Sequence, residues 1–214
     1  MNLTNYYWFF QSAILPRVCD RIIAIGNAKN PEGGERAITG RFSEGMNEKR
    51  DLKKKPLTKK ELKELKKKRD SKIIWLDEKW IYQLIQPFVY TANKNAGWNY
   101  EWDWSETSQF TIYKKGQYYG WHCDSWDKPY KNGKIRKLSM SINLTDPKEY
   151  KGGELEFDFR NSDPYKKRNL QVCSEIIPRG SVVVFPSFVW HRVKPIMEGV
   201  RHSLVSWHTG YPFK

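Results

Sequence analysis

After Gly97 the chain changes its grammar. Eight short segments follow, at 107–114, 118–124, 136–145, 153–159, 171–177, 181–185, 188–194 and 201–208. They are rich in Thr, Tyr, Val, Ile, Phe and Trp, whose branched or flat side chains suit a pleated surface. Gly, Pro, Asn and Asp separate them, as turns require. Helices first and many short strands after predict a mostly β fold, an antiparallel sandwich or barrel backed by helices.

The part before Gly97 predicts fewer elements. Residues 6–10 (Tyr-Tyr-Trp-Phe-Phe) read as a buried strand, and residues 17–26 as a short helix between Pro16 and Gly26. Residues 29–45 read as a loop with a short strand near 36–42. Thr58-Lys-Lys-Glu61 is a capping-box pattern. It predicts a basic helix over 58–69, exposed and mobile because its apolar anchors are few. A stronger helix starts at Asp77, with Trp80, Ile81, Leu84, Ile85, Phe88, Val89 and Ala92 on one face. Pro87 inside it predicts a kink or an altered boundary near 83–86. The whole reads as one domain over 1–214: a strand and supporting helices over 1–96, including a basic variable segment at 46–70, then a β core over 97–214.

Composition excludes several classes. The three cysteines form no C-x-x-C pair, so neither a disulfide framework nor a zinc finger is indicated. No apolar run is long enough to span a bilayer, and the first residues do not read as a secretory leader. The expectation is a reduced, cytoplasmic protein with no membrane partner. The net charge of +14 suggests nucleic acid. However, residues 48–72 alone hold 13 Lys or Arg against five Asp or Glu. That segment suits an acidic partner or nucleic acid, or simply a solvated helix. Oligomeric state is not readable from this pattern.

Four histidines limit where metal or acid–base chemistry can sit. Residues i and i+2 of a strand share a face, so His122 and Asp124 can aim at one point. His191, at the end of a later strand, can close a third corner. Two imidazoles and one carboxylate with open positions opposite are the ligand set of non-haem Fe(II) oxygenases. A His-x-Asp pair alone also fits a solvated strand face, and a lone His fits a core. Arg201 lies on the next strand with Ser203 two residues on. Arg can hold a carboxylate through two parallel hydrogen bonds, which suits one end of a dicarboxylate whose other end chelates the metal.

These residues occur within a longer pattern. It runs Tyr113-x-x-Gly116, His122-x-Asp124, Arg136-x-Leu-Ser-Met-Ser-Ile-Asn-Leu, Tyr150-x-Gly-Gly-Glu-Leu-Glu-Phe157, Pro178-x-Gly180-x-Val-Val-Val-Phe185-Pro, then His191 with Arg201 ten residues later. In this the chain resembles the 2-oxoglutarate- and Fe(II)-dependent oxygenases of the prolyl 4-hydroxylase-like branch, over roughly residues 73–210. It is also similar to the small versions encoded by bacteriophages, which would place it in a host cytoplasm. The resemblance implies a double-stranded β-helix (a jelly roll, cupin-like) with the metal at one open end. It implies His122, Asp124 and His191 as Fe(II) ligands and Arg201 as the partner of the distal carboxylate of 2-oxoglutarate, with Ser203 assisting. Tyr113 matches a position whose hydroxyl reaches the cosubstrate pocket. Asn143 stands where some relatives place a cosubstrate-contacting Tyr, which leaves its role open. O2 is the second cosubstrate, and ascorbate an auxiliary reductant.

The implied activity is hydroxylation of a C–H bond, first of all on a peptidyl proline, with 2-oxoglutarate decarboxylated to succinate. An oxidative demethylase of nucleic-acid bases would use the same iron chemistry, and the net charge favours it. The ten-residue His–Arg spacing favours the prolyl branch. A non-enzymatic cupin-like binder would have little use for Arg201 beside a metal. Cys123, between two ligands, is expected to face an apolar core. His202, alternating away from Arg201, is expected to pack or face solvent.

Overall fold

The computed structural model describes residues 5–29, 35–37, 57–125, 128–159 and 169–213. The elements in chain order are β1 (Trp8–Phe10), α1 (Pro16–Lys29), β2 (Glu35–Arg36), α2 (Lys59–Lys68), β3 (Arg69–Asp70), β4 (Lys72–Leu76), α3 (Lys79–Asn95), β5 (Trp104–Ser105), β6 (Ser108–Lys114), β7 (Tyr118–His122), β8 (Ile135–Asn143), β9 (Tyr150–Gly152), β10 (Leu155–Asp158), β11 (Leu170–Val172), β12 (Val182–Pro186), β13 (Trp190–Val193) and β14 (Ile196–Gly210). A large sheet runs β1-β12-β8-β14-β6-β4-β2, with β5 and β9 added at β14. A smaller one runs β11-β10-β13-β7-β3. The fold is mostly β and built of antiparallel pairs, as the turn-separated segments predict; its two facing sheets form a jelly roll.

One face of the large sheet packs on α1 and α3 and the other faces the small sheet. Ile81, Ile85, Val89 and Ala92 of α3 are fully buried with Cys19 and Ile22 of α1 against Phe110, Leu138, Met140, Ile142 and Leu204. Leu155, Phe157, Val183 and Phe185 pack with Cys173, Ile176 and Val189 in a second cluster. Phe110 also explains why α1 holds Gly26. A Cβ there would stand 2.5 Å from the Phe110 ring.

Several expectations need correcting. The strand at 6–10 is shorter, and Phe9 on it is exposed. The α3 helix has no boundary at 83–86 and runs through Pro87, since packing of its buried face outweighs the one lost hydrogen bond. The segment 171–177 is a three-residue strand followed by a 3-10 turn. The strand expected at 118–124 ends at His122. The first 96 residues are more than support: β1, β2 and β4 are strands of the large sheet and β3 of the small one. The strand near 36–42 is found at Glu35–Arg36; the rest of that prediction, and residues 46–56, lie outside the described residues.

The basic helix forms with the full capping box, Thr58 and Glu61 each bonding the other's backbone N–H. It is not wholly exposed, because Leu65 is completely buried and the Tyr118 hydroxyl donates to Lys66 O at 2.7 Å. Those contacts fix α2 beside β7. Its last residue leads directly into β3. Among the described residues, no helix is long and apolar enough to cross a membrane.

Gly26→Ala is expected to lower stability by about 2 kcal/mol, because the added methyl overpacks against Phe110. Urea unfolding at neutral pH measures it; an unchanged midpoint would mean that α1 shifts freely over the sheet.

Candidate metal centre

The site is assembled between the sheets by register. His191 on β13 stands directly opposite His122 on β7, and their rings lie 4.1 Å apart. Asp124 lies beyond the end of β7, so strand alternation does not place it. Instead the backbone N–H groups of Asp124 and Ser125 both donate to Ser187 O, at 2.8 and 2.9 Å. That tether turns the carboxylate inward. Asp124 Oδ1 is 3.6 Å from His122 Nε2, and Oδ2 is 3.5 Å from His191 Nε2. One ligand atom from each of the three residues falls within 4.8 Å of the others.

The hydrogen bonds around the triad fit a cation. His122 Nδ1 lies 2.9 Å from Gly120 O, and His191 Nδ1 lies 2.9 Å from Val189 O. A carbonyl only accepts, so Nδ1 carries the proton in each ring and Nε2 keeps its lone pair for a metal. Burial holds the His122 imidazolium well below its ordinary value, and His191 adds to this while Asp124 opposes it. The ring is therefore neutral and able to ligate. Burial alone would raise the Asp124 carboxyl. His191, His122 and Arg136 outweigh that and bring it to about 2. The Ser139 hydroxyl donates to Asp124 Oδ2 at 2.8 Å and lies 2.9 Å from Ser187 Oγ. The donor set, two imidazole Nε2 atoms and an ionised carboxylate, suits a divalent first-row metal.

Arg201, Ser203 and Tyr113 line the same chamber as the triad. Arg201 is 3% exposed and stands opposite Tyr113 in register, its guanidinium 5.9 Å from the ring centre. Among the described residues no carboxylate pairs with it. A buried cation without a counter-ion is costly, so the chamber is electrostatically prepared for an anion. Asn143 does not line the chamber. Its Nδ2 serves Thr145 O, Tyr150 Oη and Ile177 O at 3.1, 3.2 and 2.7 Å.

Other residues at the site carried no legible signal in the chain. Arg69, at the end of the basic helix, is buried and lines the chamber, with its guanidinium 4.3 Å from the Tyr119 ring centre. The Tyr119 ring stacks on His122 at 3.5 Å. Gln109, also lining the chamber, donates to Thr111 Oγ1. Arg136 grips Glu106 through two bonds of 2.7 and 2.6 Å and lies 3.8 Å over Trp207, which lines the chamber. Tyr130 donates to the same Glu106. A lone Arg in a basic run, or a Glu between aromatics, has many uses, and only the fold brings these together.

Cys123 is half-buried with its thiol donating to Phe188 O at 3.2 Å, so it caps a turn instead of joining the apolar core. His202 packs as expected, stacking on Phe110 on the helix side of the sheet. His208 is fully buried there, its Nδ1 3.0 Å from Ser105 Oγ and its ring against Trp102.

Two measurements follow. Asp124→Ala is expected to lose tight Mn(II) binding, read by calorimetry, while retaining its Tm within a few degrees. Burial, aided by Arg201, lowers His202 to about 4, and burial lowers His208 to about 3. Unfolded, each takes up its proton near pH 6.5. Stability from these two is complete above that pH and is lost as pH falls toward the folded values. Between pH 6.5 and 5 they remove about 3 kcal/mol, and His208→Gln is expected to roughly halve the slope in urea titrations.

Comparison with known proteins agrees with this geometry. Residues 108–209 match the model of the 2OG-Fe(II) oxygenase superfamily. A PKHD-type hydroxylase from Synechococcus sp. (strain CC9902) is 37% identical over 97 residues, 45% of this chain and 38% of that protein. One from Shewanella baltica (strain OS155) is 31% identical over 99 residues, 46% and 40% of the two chains. The matches thus span well under half the length of these relatives. Among solved structures, the Paramecium Bursaria Chlorella virus-1 collagen prolyl hydroxylase in its 2OG complex aligns over 97% of both chains, with TM-score 0.59 and 18% identity. A Pseudomonas putida prolyl-4-hydroxylase covers 96% of this chain and 92% of its own, with TM-score 0.63 and 16% identity. A Trichoplax adhaerens prolyl hydroxylase, solved with a hypoxia inducible factor peptide fragment, covers 96% and 84%, with TM-score 0.65 and 16% identity. These structures share the fold. The matched residues 108–209 carry His122, Asp124, His191 and Arg201.

Proposed function

We propose that the protein is an Fe(II)- and 2-oxoglutarate-dependent dioxygenase that hydroxylates a C–H bond of a peptidyl substrate, most readily a proline. One observation carries this reading. A triad with both Nε2 atoms free shares a buried chamber with an arginine that has no carboxylate partner. The names of the relatives support a hydroxylase, and a peptide-bound structural neighbour supports a peptide substrate.

His122, Asp124 and His191 would hold the iron, which with bound 2-oxoglutarate supplies oxidation of an unactivated C–H bond by O2. The chain's own part is placement. The Nδ1–carbonyl bonds fix the two rings, and the Ser187 tether with the Ser139 hydroxyl fixes the carboxylate. Arg201 and Ser203 would orient the cosubstrate by its distal carboxylate, while Leu155, Phe185 and Val193 exclude water from the lining. The Arg136–Glu106 pair lies against Trp207, whose side chain lines the chamber.

The test supplies Fe(II), 2-oxoglutarate, O2 and ascorbate with a proline-containing peptide. Succinate formation and a +16 Da peptide are expected. Asp124→Ala should abolish both, and Arg201→Ala should raise the KM for 2-oxoglutarate at least about tenfold. Formaldehyde from methylated DNA or RNA, without peptide oxidation, would overturn the substrate assignment in favour of demethylation. Absence of succinate under all conditions would leave a metal binder.

A further inference from the structure

Arg201 lines two adjoining cavities, and the triad lies in one. The other, about 150 Å³, is lined by Tyr150, Gly152, Gly153, Leu155, Ile177 and Arg201, among others. Register puts Tyr150 beside Arg201. On β14, Gly199 stands opposite Tyr150 of β9 and Ser203 opposite Asn143 of β8. Gly199, Arg201 and Ser203 share one face by alternation, so Tyr150 and Asn143 flank Arg201 on that same face. Gly153, at φ +71°, keeps the space open: a Cβ there would sit 3.1 Å from Arg201 Cδ and 2.4 Å from Ile196 Cδ1.

The hydrogen bonds decide what the Tyr150 hydroxyl can do. Asn143 Nδ2 bonds two carbonyls, Thr145 O and Ile177 O, which fixes that atom as the amide nitrogen. The same nitrogen lies 3.2 Å from Tyr150 Oη. An amide nitrogen does not accept, so the phenol proton must go elsewhere. Among the described residues no acceptor takes it. A phenol proton without an acceptor beside a guanidinium without a counter-ion makes a two-part carboxylate receptor.

We propose that Tyr150 is a further cosubstrate-binding residue, held from behind by Asn143 and donating its hydroxyl to the distal carboxylate that Arg201 pairs with. This rests on the 2-oxoglutarate reading above. It also gives Asn143 a role: it positions the residue that reaches the ligand without reaching it itself.

The test is an anaerobic calorimetric titration of Mn(II)-loaded protein with 2-oxoglutarate and with 2-oxobutyrate, which has the same chelating end but no distal carboxylate. Tyr150→Phe is expected to weaken 2-oxoglutarate about tenfold, the worth of one hydrogen bond to a charged group. It should leave Mn(II) and 2-oxobutyrate binding at the wild-type values, which also reports that the variant is folded. A 2-oxoglutarate affinity within twofold of wild type, while Arg201→Ala still loses it, would overturn the Tyr150 assignment alone. Equal weakening of both ligands would make Tyr150 a packing residue and overturn it too. Wild-type protein that binds Mn(II) but no 2-oxoglutarate would overturn the functional reading with it.

Discussion

The site turns on a buried carboxylate that lies outside any strand. Asp124 is 6% exposed, in a position where an unsupported charge would be neutralised or expelled. Its ionised state is kept by what surrounds it: two imidazoles, the Ser139 hydroxyl and the nearby Arg136. Its position is kept by one carbonyl, Ser187 O, which takes two backbone donors from the loop after β7. Ser187 follows β12, and β12 is paired on both sides within the large sheet. The carboxylate belonging to one sheet is thus aimed by the other. That cross-sheet anchor, more than either strand, defines the distance between the ligands.

The pattern of short β segments was legible because each strand has one face in a core, and alternation leaves a readable trace. The triad is legible as a candidate because few residue types bind metals and this chain has only four histidines to choose from; the fold brings its ligand atoms within 4.8 Å of one another. What could not be read follows from physics of the same kind. The β4 strand, Lys72–Leu76, follows a run of lysines, and its Ile-Ile-Trp-Leu is as compatible with the start of a helix. Asp124 looked like a strand residue because i and i+2 share a face, yet the strand stops two residues earlier. Arg69 could not be told from the lysines before it, since solvation and burial of a cation leave the same letter pattern. Only Leu65, buried at the right turn of α2, fixes the direction in which the chain delivers Arg69.

The charge distribution reads differently with the fold in hand. The basic segment is not a uniform solvated face. Part of it is a capped helix sealed to β7, and its end contributes a buried guanidinium to the chamber. Arg69, Arg136 and Arg201 therefore approach the triad from three separate elements. Arg136 is neutralised by Glu106, whereas Arg69 stacks on Tyr119 and Arg201 faces the chamber. The chamber thus holds two guanidinium groups besides the ionised Asp124.

The fifteen-residue strand β14 carries this arrangement over its regular middle part, Arg201 to His208. Its odd-numbered positions from Arg201 to Trp207 form the chamber, and its even-numbered positions, His202 to His208, are packed against the helix layer. Because the pleat alternates with a period of two, inserting or deleting one residue here would exchange the two sets wholesale. Arginine and serine would then meet the apolar layer, and leucine and histidine the chamber. Evolution can therefore exchange side chains along this strand one at a time, but it has no gradual route to changing the strand's length.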